Sequence, residues 1–419
     1  MDSAKSMAQA ASAAAPEIAN ADKETRDEAL LKMAEGLETG MSQLLEANAL
    51  DVAHTTENGA STHFIDRVRL TEGRVQQMAN AIREVVALPS PLGQLEEMRE
   101  RPNGLQVGRM RIPIGVIAII YEARPNVTSD AASLCLKSGN VVLLKGGRDA
   151  QHSNRAIASV LRQALGACGL PEDGIQLISS SDRHFLSSLL QQEEEIDLVI
   201  PRGGEGLIRF VSEHSRIPVL KHYKGVCHVY LTASADPVMA VDICENAKVQ
   251  RPSVCNAMET LLIERDGAQR LLPLVGERLK QRGVLMRGCE ETREILASCD
   301  IPVERATDAD YSAEYLALEL AIKIVSGLDE AAAHIRRFGS DHTESIITED
   351  EALAKAFVQR VNSSCVMVNA STRFADGGEL GLGAEIGIST TKLHSYGPMG
   401  LEDLTARKFV VLGTGQVRE

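Results

Sequence analysis

The chain has 419 residues, a formal net charge of −14, 44% hydrophobic and 24% charged side chains, only 3% aromatic residues and no Trp. That length suggests two or three domains with aliphatic cores. The acidic balance excludes a non-specific nucleic-acid binder and disfavours an anionic membrane surface, so an anionic substrate has to be held by local cations.

The expected elements begin with helices. Residues 4–50 are rich in Ala, Met, Leu and Glu, with Pro16 the one proline. Asp22 is placed to cap a second helix carrying Leu30, Met33 and Leu37 on its apolar face, and a third helical stretch is expected over 66–87. Residues 105–113 alternate apolar and basic side chains, the pattern of an exposed strand in a hairpin. The unbroken apolar run 115–120 predicts a strand buried on both faces. Strands over 140–144, 175–178 and 198–200 alternate with helices over 128–138 and 152–168 and one more after 178, which predicts a doubly wound parallel sheet. After residue 225 the pattern resumes: strand 229–231, helix 237–248, strand 258–263, helix 267–282 and strand 321–325, a second α/β domain. Residues 409–412 read as an isolated strand that either pairs with another subunit or stays disordered.

No signal peptide is expected, because Glu17, Asp22 and Glu24 interrupt the Ala-rich start. No apolar run reaches the roughly 18 residues of a membrane-spanning helix. The eight cysteines, Cys135, Cys168, Cys227, Cys244, Cys255, Cys289, Cys299 and Cys365, form no CxxC pair and no zinc spacing. They are expected to be reduced thiols of a cytoplasmic protein without a structural metal.

Cys255, in 250–256 (QRPSVCN), is expected in a polar turn between a helix and a buried strand, a place where an α/β fold exposes a nucleophile; the alternative is a buried structural thiol. Three turns end buried strands. Arg124-Pro125-Asn126 is either a ligand site or a plain connection. Lys145-Gly146-Gly147-Arg148 joins two glycines to two cations, which suits a phosphorylated cofactor or, more plainly, a solvated glycine turn. Pro201-Arg202-Gly203-Gly204 offers N–H groups at a helix start to a pyrophosphate, though it is not a GxGxxG fingerprint. The polar run 369–378 (NASTRFADGG), with Gly381, Gly383 and Gly387 close behind, is long enough to be a functional or mobile loop.

Six segments in order, 116–126 (VIAIIYEARPN), 134–147 (LCLKSGNVVLLKGG), 200–206 (IPRGGEG), 249–260 (VQRPSVCNAMET), 368–374 (VNASTRF) and 380–390 (LGLGAEIGIST), resemble the gamma-glutamyl phosphate reductases, a divergent branch of the aldehyde dehydrogenase superfamily. The likeness runs from the helical start to about residue 413. It implies an aldehyde-dehydrogenase-like α/β fold of two doubly wound domains plus a small β oligomerisation element. The NADP(H)-binding domain would take 1–104 and 114–222, the catalytic domain 223–403, and the oligomerisation element 105–113 and 404–419. The implied reaction reduces L-glutamyl 5-phosphate to L-glutamate 5-semialdehyde with NADPH and releases phosphate, on the way to proline.

The resemblance makes Cys255 the nucleophile, through a thioester. Its thiolate would be favoured by the cofactor's positive ring, by a cation such as Arg251, or by local N–H groups. Lys145, Gly147, Arg148, Arg202, Gly203 and Gly204 would bind the cofactor and Glu314 its nicotinamide ribose. Arg148 stands where NAD-preferring members often place a Glu, which implies a partner for the 2′-phosphate of NADPH. The water-activating Glu of ordinary aldehyde dehydrogenases has no counterpart in 220–225 (LKHYKG), where His222 is either a substitute base or part of a polar hinge. The superfamily's oxyanion Asn falls near Ala123, so Asn126 or the Cys255 N–H takes its place. Arg124, Asn369, Ser371, Thr372 and Arg373 are the substrate-binding candidates. A homo-oligomer and an association with glutamate 5-kinase are further implications, with no residues left for a fused kinase. The competing readings are a non-phosphorylating aldehyde dehydrogenase, which the missing Glu disfavours, and a catalytically silent relative, which the intact Cys255 segment and glycine loops disfavour.

Overall fold

The computed structural model describes residues 3–179 and 182–418. The chain divides into two compact units: Met1–Lys221 with Leu382–Gly387 and Met399–Glu419, and His222–Gly381 with Ile388–Pro398.

Helices Ala4–Asn20, Lys23–Thr39 and Met41–Glu57 open the first unit. The Asp22 carboxylate accepts from Thr25 N at 2.7 Å, and Leu30, Met33 and Leu37 are buried, as their spacing predicts. The stretch expected over 66–87 is two helices, Thr62–Val68 and Glu72–Ala87, because Arg69 takes an extended conformation and Thr71 caps a fresh helix. Periodicity alone does not register that break.

β1 (Leu95–Glu100) and β2 (Gln106–Pro113) form an antiparallel hairpin. The last strand, Thr405–Leu412, runs antiparallel to β2 over its whole length. The strand expected to be isolated therefore pairs within its own chain, and it starts four residues earlier because the polar opening Thr405-Ala406-Arg407-Lys408 carries no apolar signal.

β3 (Val116–Tyr121), β4 (Val141–Lys145), β5 (Ile175–Leu177) and β6 (Leu198–Arg202) form a four-stranded parallel sheet in the order β5-β4-β3-β6. Every residue of β3 is buried, as its unbroken apolar run requires. The chain moves outward from β3 through β4 to β5, then returns to β3's other side as β6. This reversal is the switch point at which α/β sheets bind ligands, at the carboxyl ends of the strands.

The second unit is built on a seven-stranded parallel sheet. Its strands are β7 (Cys227–Leu231), β8 (Met258–Glu264), β9 (Leu285–Gly288), β10 (Glu304–Arg305), β11 (Glu319–Val325), β12 (Thr343–Ile347) and β13 (Cys365–Val368), in the order β10-β9-β11-β8-β7-β12-β13. Helices Pro237–Val249, Arg265–Gln281, Leu328–Phe338 and Glu351–Arg360 belong to this unit.

Candidate active site

In the first unit the three predicted turns lie at the carboxyl ends of β3, β4 and β6. Lys145 closes β4 and donates to Gly146 O at 2.9 Å. Burial, and then the Arg148 charge, lower its amine pKa. Arg148 is exposed at the start of the next turn, and a shallow cleft lined by Lys145, Gly146, Gly147, Arg148, Gln151 and Asn154 opens there. Neither cation has an acid within ion-pair distance among the described residues. A Cβ at Gly146 would run into Asn154, and one at Gly147 would press on Ala123 N at 3.3 Å, so the glycines keep this floor low.

The turn after β6 holds a surprise. The helix Glu205–His214 begins where a pyrophosphate was expected, yet Glu122 Oε2 already accepts from Gly204 N at 2.9 Å. An internal carboxylate therefore occupies the anion position that Gly203 and Gly204 create. Glu122 stands inside the 116–126 segment, but nothing local in the sequence shows that it folds back onto a turn some eighty residues on.

Asn126 opens helix Asn126–Lys137 and donates to Asp130 Oδ2 at 2.8 Å. Burial pushes the Asp130 carboxyl up to about 6, against the pull of Asn126, Ser129 and Arg202. Asn126 is thus oriented by an acid that Arg202 faces. Arg124 is exposed beside it.

In the second unit Cys255 sits, half-buried, in the loop between helix Pro237–Val249 and β8. A loop that runs from a helix into a parallel strand lies at the strand's amino end, not the carboxyl end at which such folds usually expose ligand-binding residues. Its neighbours come from the same end of the sheet. Gly225, just before β7, packs so closely that a Cβ there would lie 2.6 Å from both the Cα and the carbonyl carbon of Cys255. Cys227, opening β7, donates its thiol to the Cys255 carbonyl at 3.1 Å. Burial first, and neighbouring Glu344 next, raise the Cys227 pKa well above its ordinary value, so it stays a neutral donor. His342, before β12, lies 3.6 Å from the Cys227 sulfur, and burial holds its imidazole neutral with a pKa of about 3.

Arg373 is the cation that joins this cluster. The segment 369–375 starts at the carboxyl end of β12, where Asn369 N donates to Ile346 O at 2.8 Å, and comes back to the nucleophile loop. Arg373 Nη1 donates to Asn256 Oδ1 and its Nε to Gln250 Oε1 at 2.8 Å, while Asn256 Nδ2 donates to Ala375 O at 2.9 Å. Burial and the nearby Arg251 lower the Arg373 pKa, and attraction to Asp376, Cys255 and Cys227 opposes them. Arg373, half-buried and bonded to Asn256 next to Cys255 in the chain, is a cation of the kind that favours a thiolate.

The remaining candidates take different places. Glu314 lies in a loop, not a helix, and accepts from Gly225 N at 2.8 Å. The Asn369 amide is spent on both backbone groups of Thr348, each at 2.9 Å. Ser371 caps the turn Thr372–Phe374. The buried Thr372 hydroxyl has no hydrogen-bond partner among the described residues. His222 shares its Nδ1 with Ile388 O at 2.9 Å, which favours the hinge reading over a general base at that nitrogen.

Comparison with known proteins places this arrangement. The aldehyde dehydrogenase family model matches residues 1–294. A gamma-glutamyl phosphate reductase of Desulfatibacillum aliphaticivorans is 54% identical over 412 residues, 98% of either chain. One from Xanthomonas campestris pv. campestris is 52% identical over 99% of both. The crystal structure of a gamma-glutamyl phosphate reductase from Thermotoga maritima superposes over the whole of both chains with a TM-score of 0.97 at 44% identity. An acetylating aldehyde dehydrogenase from Geobacillus thermoglucosidasius shares the fold, with a TM-score of 0.70 at 18% identity over 99% of this chain and 97% of its own. The chain belongs to the aldehyde dehydrogenase family and, within it, to the gamma-glutamyl phosphate reductases. Membership implies a nicotinamide cofactor and a small-molecule substrate. Among the described residues no helix is long and apolar enough to cross a membrane, and no group of three or more His, Cys, Asp or Glu is arranged to hold a metal.

Proposed function

We propose that this chain reduces L-glutamyl 5-phosphate to L-glutamate 5-semialdehyde with NADPH, through a thioester on Cys255. The observation that carries the reading is the Cys255 setting: a loop backbone packed on Gly225 and bonded by Cys227, and a half-buried Arg373 bonded to the adjacent Asn256. The Cys255 thiolate attacks the acyl carbon, the C–O bond to phosphate breaks, and inorganic phosphate leaves. NADPH, when bound, would supply the hydride that reduces the thioester carbonyl. The resulting thiohemiacetal oxyanion would be met by the Cys255 N–H, and its collapse releases aldehyde and thiolate. No carboxylate lies in 220–225 to activate water, which disfavours hydrolysis of the thioester.

The cofactor fits the residues present. Lys145 and Arg148 leave two charges un-neutralised over a floor of glycines, which suits the 2′-phosphate of NADPH. Arg202, Gly203 and Gly204 would take the pyrophosphate, displacing Glu122 from Gly204 N, and Glu314 the nicotinamide ribose, while Arg124, Ser371, Thr372 and Arg373 serve the substrate. On this reading 1–104 and 114–222 bind cofactor and 223–403 carry the chemistry. The element of 105–113 and 404–419 mediates self-association, since its edge strand exposes Phe409, Val411 and Leu412. The absence of any disulfide among the described cysteines fits a cytoplasmic enzyme.

The test runs the reaction backwards: NADP⁺ reduction by glutamate 5-semialdehyde, with and without phosphate, for wild type and Cys255→Ala. Activity that needs both phosphate and Cys255 is expected. Activity without phosphate would mean that water resolves the thioester, and a non-phosphorylating dehydrogenase would replace this reading.

A further inference from the structure

We propose that Lys248 and Glu259 are positioning residues for the nucleophile, their buried ion pair closing the two ends of the Cys255 loop and setting the turn that carries Glu314. The inference rests on the reading of Cys255 as nucleophile. Lys248 is in the last turn of helix Pro237–Val249 and Glu259 is the second residue of β8, so everything between them is the nucleophile loop. Lys248 Nζ and Glu259 Oε2 are 2.6 Å apart, and both side chains are fully buried.

Such a pair is poor value for stability alone. Desolvation of two charges offsets their attraction, and an apolar pair of similar volume usually serves a core as well or better. What an apolar pair cannot supply is direction. The second Glu259 oxygen, Oε1, accepts from Leu316 N at 3.2 Å. Leu316 has a φ of +53°, a left-handed conformation that a leucine keeps only when its surroundings hold it. The ring of the preceding residue, Tyr315, lies 5.9 Å from Lys248 Nζ. Two residues before Leu316, Glu314 accepts from Gly225 N, and Gly225 in turn packs on the Cys255 backbone. The contacts close a ring: loop, ion pair, Leu316, Glu314, Gly225 and back to the loop at Cys255. Burial drives the Glu259 carboxyl up and the Lys248 amine down, yet the hydrogen-bonded geometry keeps them paired. The sequence hides this pair, because a Lys and a Glu eleven residues apart with a turn between them read as solvated charges.

The test compares wild type, the apolar double variant Lys248→Met/Glu259→Leu, and Glu259→Asp, which keeps the charge but is too short to serve both Lys248 and Leu316 N. The readouts are thermal melting, kcat and KM for phosphate-dependent NADP⁺ reduction, and the rate of Cys255 alkylation by iodoacetamide. Rates are normalised to the fraction of chains alkylated. The double variant is expected to melt near wild type while kcat falls at least ten-fold, with KM for NADP⁺ within about three-fold. Glu259→Asp is expected to lose at least five-fold in kcat with a changed alkylation rate. A purely structural pair predicts the opposite: wild-type kcat in whichever variant folds, which overturns the proposal. Cys255→Ala separates the two readings. If it stays active, the nucleophile assignment fails and takes the inference with it. If it is inactive while the pair variants turn over normally, only the inference falls.

Discussion

Gly225 is where the site tolerates least. Its φ is not left-handed, so space rather than backbone conformation demands glycine there. In Gly225→Ala the new Cβ would lie 2.6 Å from the Cys255 Cα and carbonyl carbon, and closer still to the carbonyl oxygen, whereas real Cβ atoms essentially never approach under 3.0 Å. The two backbones have to part by about 1 Å, and a displacement of that size at a reacting group costs on the order of 100-fold in rate. That corresponds to about 2.7 kcal/mol of transition-state stabilisation. The same shift pulls Gly225 N from Glu314, now 2.8 Å away. Phosphate-dependent NADP⁺ reduction should show kcat down by about two orders of magnitude, while NADPH still binds at Lys145 and Arg148 with near-native affinity. Melting should drop by the equivalent of about 1–3 kcal/mol, the usual cost of overpacking. If the folded variant keeps kcat within about three-fold of wild type, the close Gly225–Cys255 packing does not position the nucleophile, and the argument for covalent catalysis from this loop loses its geometric basis.

Other outcomes follow from the same geometry. Arg148→Glu should reverse the preference for NADPH over NADH, measured as the ratio of kcat/KM values; an unchanged ratio removes Arg148 from the 2′-phosphate. Glu122→Gln should tighten NADPH two- to five-fold in a calorimetric titration, about 0.4–1 kcal/mol, because a competing carboxylate leaves the helix start; weaker or equal binding would mean that Glu122 does not compete with the cofactor. His334 is buried, and its burial, followed by His228, Lys323 and Arg337, holds its pKa at about 3. A folded value below the unfolded one means stability present above pH 6.5 and lost as pH falls toward 3, at most about 1.4 kcal/mol per unit. His334→Phe, which suits the Tyr311 and Phe338 rings around it, should therefore shrink the stability difference between pH 7.5 and 5.0 by up to about 2 kcal/mol in denaturant titrations; an unchanged difference would show that His334 charges without cost.

The sequence by itself determined the elements whose signal is local. An aliphatic run such as 116–120 has few fates other than a strand covered on both faces, and Asp22 three residues before Thr25 predicts a helix start whatever else the chain does. The glycine-and-cation turns and the Cys255 turn were legible for the same reason, as was the family, whose segments lie in order along the chain. Only the tertiary structure could decide the rest, because it depends on partners distant in sequence. β12, Thr343–Ile347, opens Thr-Glu-Ser and yet is wholly buried; Glu344 meets His228 across the sheet at 2.8 Å, and Ser345 donates to Ala370 O, so polarity that reads as surface is spent inside. Glu122 on Gly204, Asn369 on Thr348 and Arg373 on Asn256, though not buried, likewise find partners that no local pattern announces. A hydrogen bond across a hundred residues leaves no trace in composition or periodicity, and such bonds separate the groups available for chemistry from those already committed to the fold.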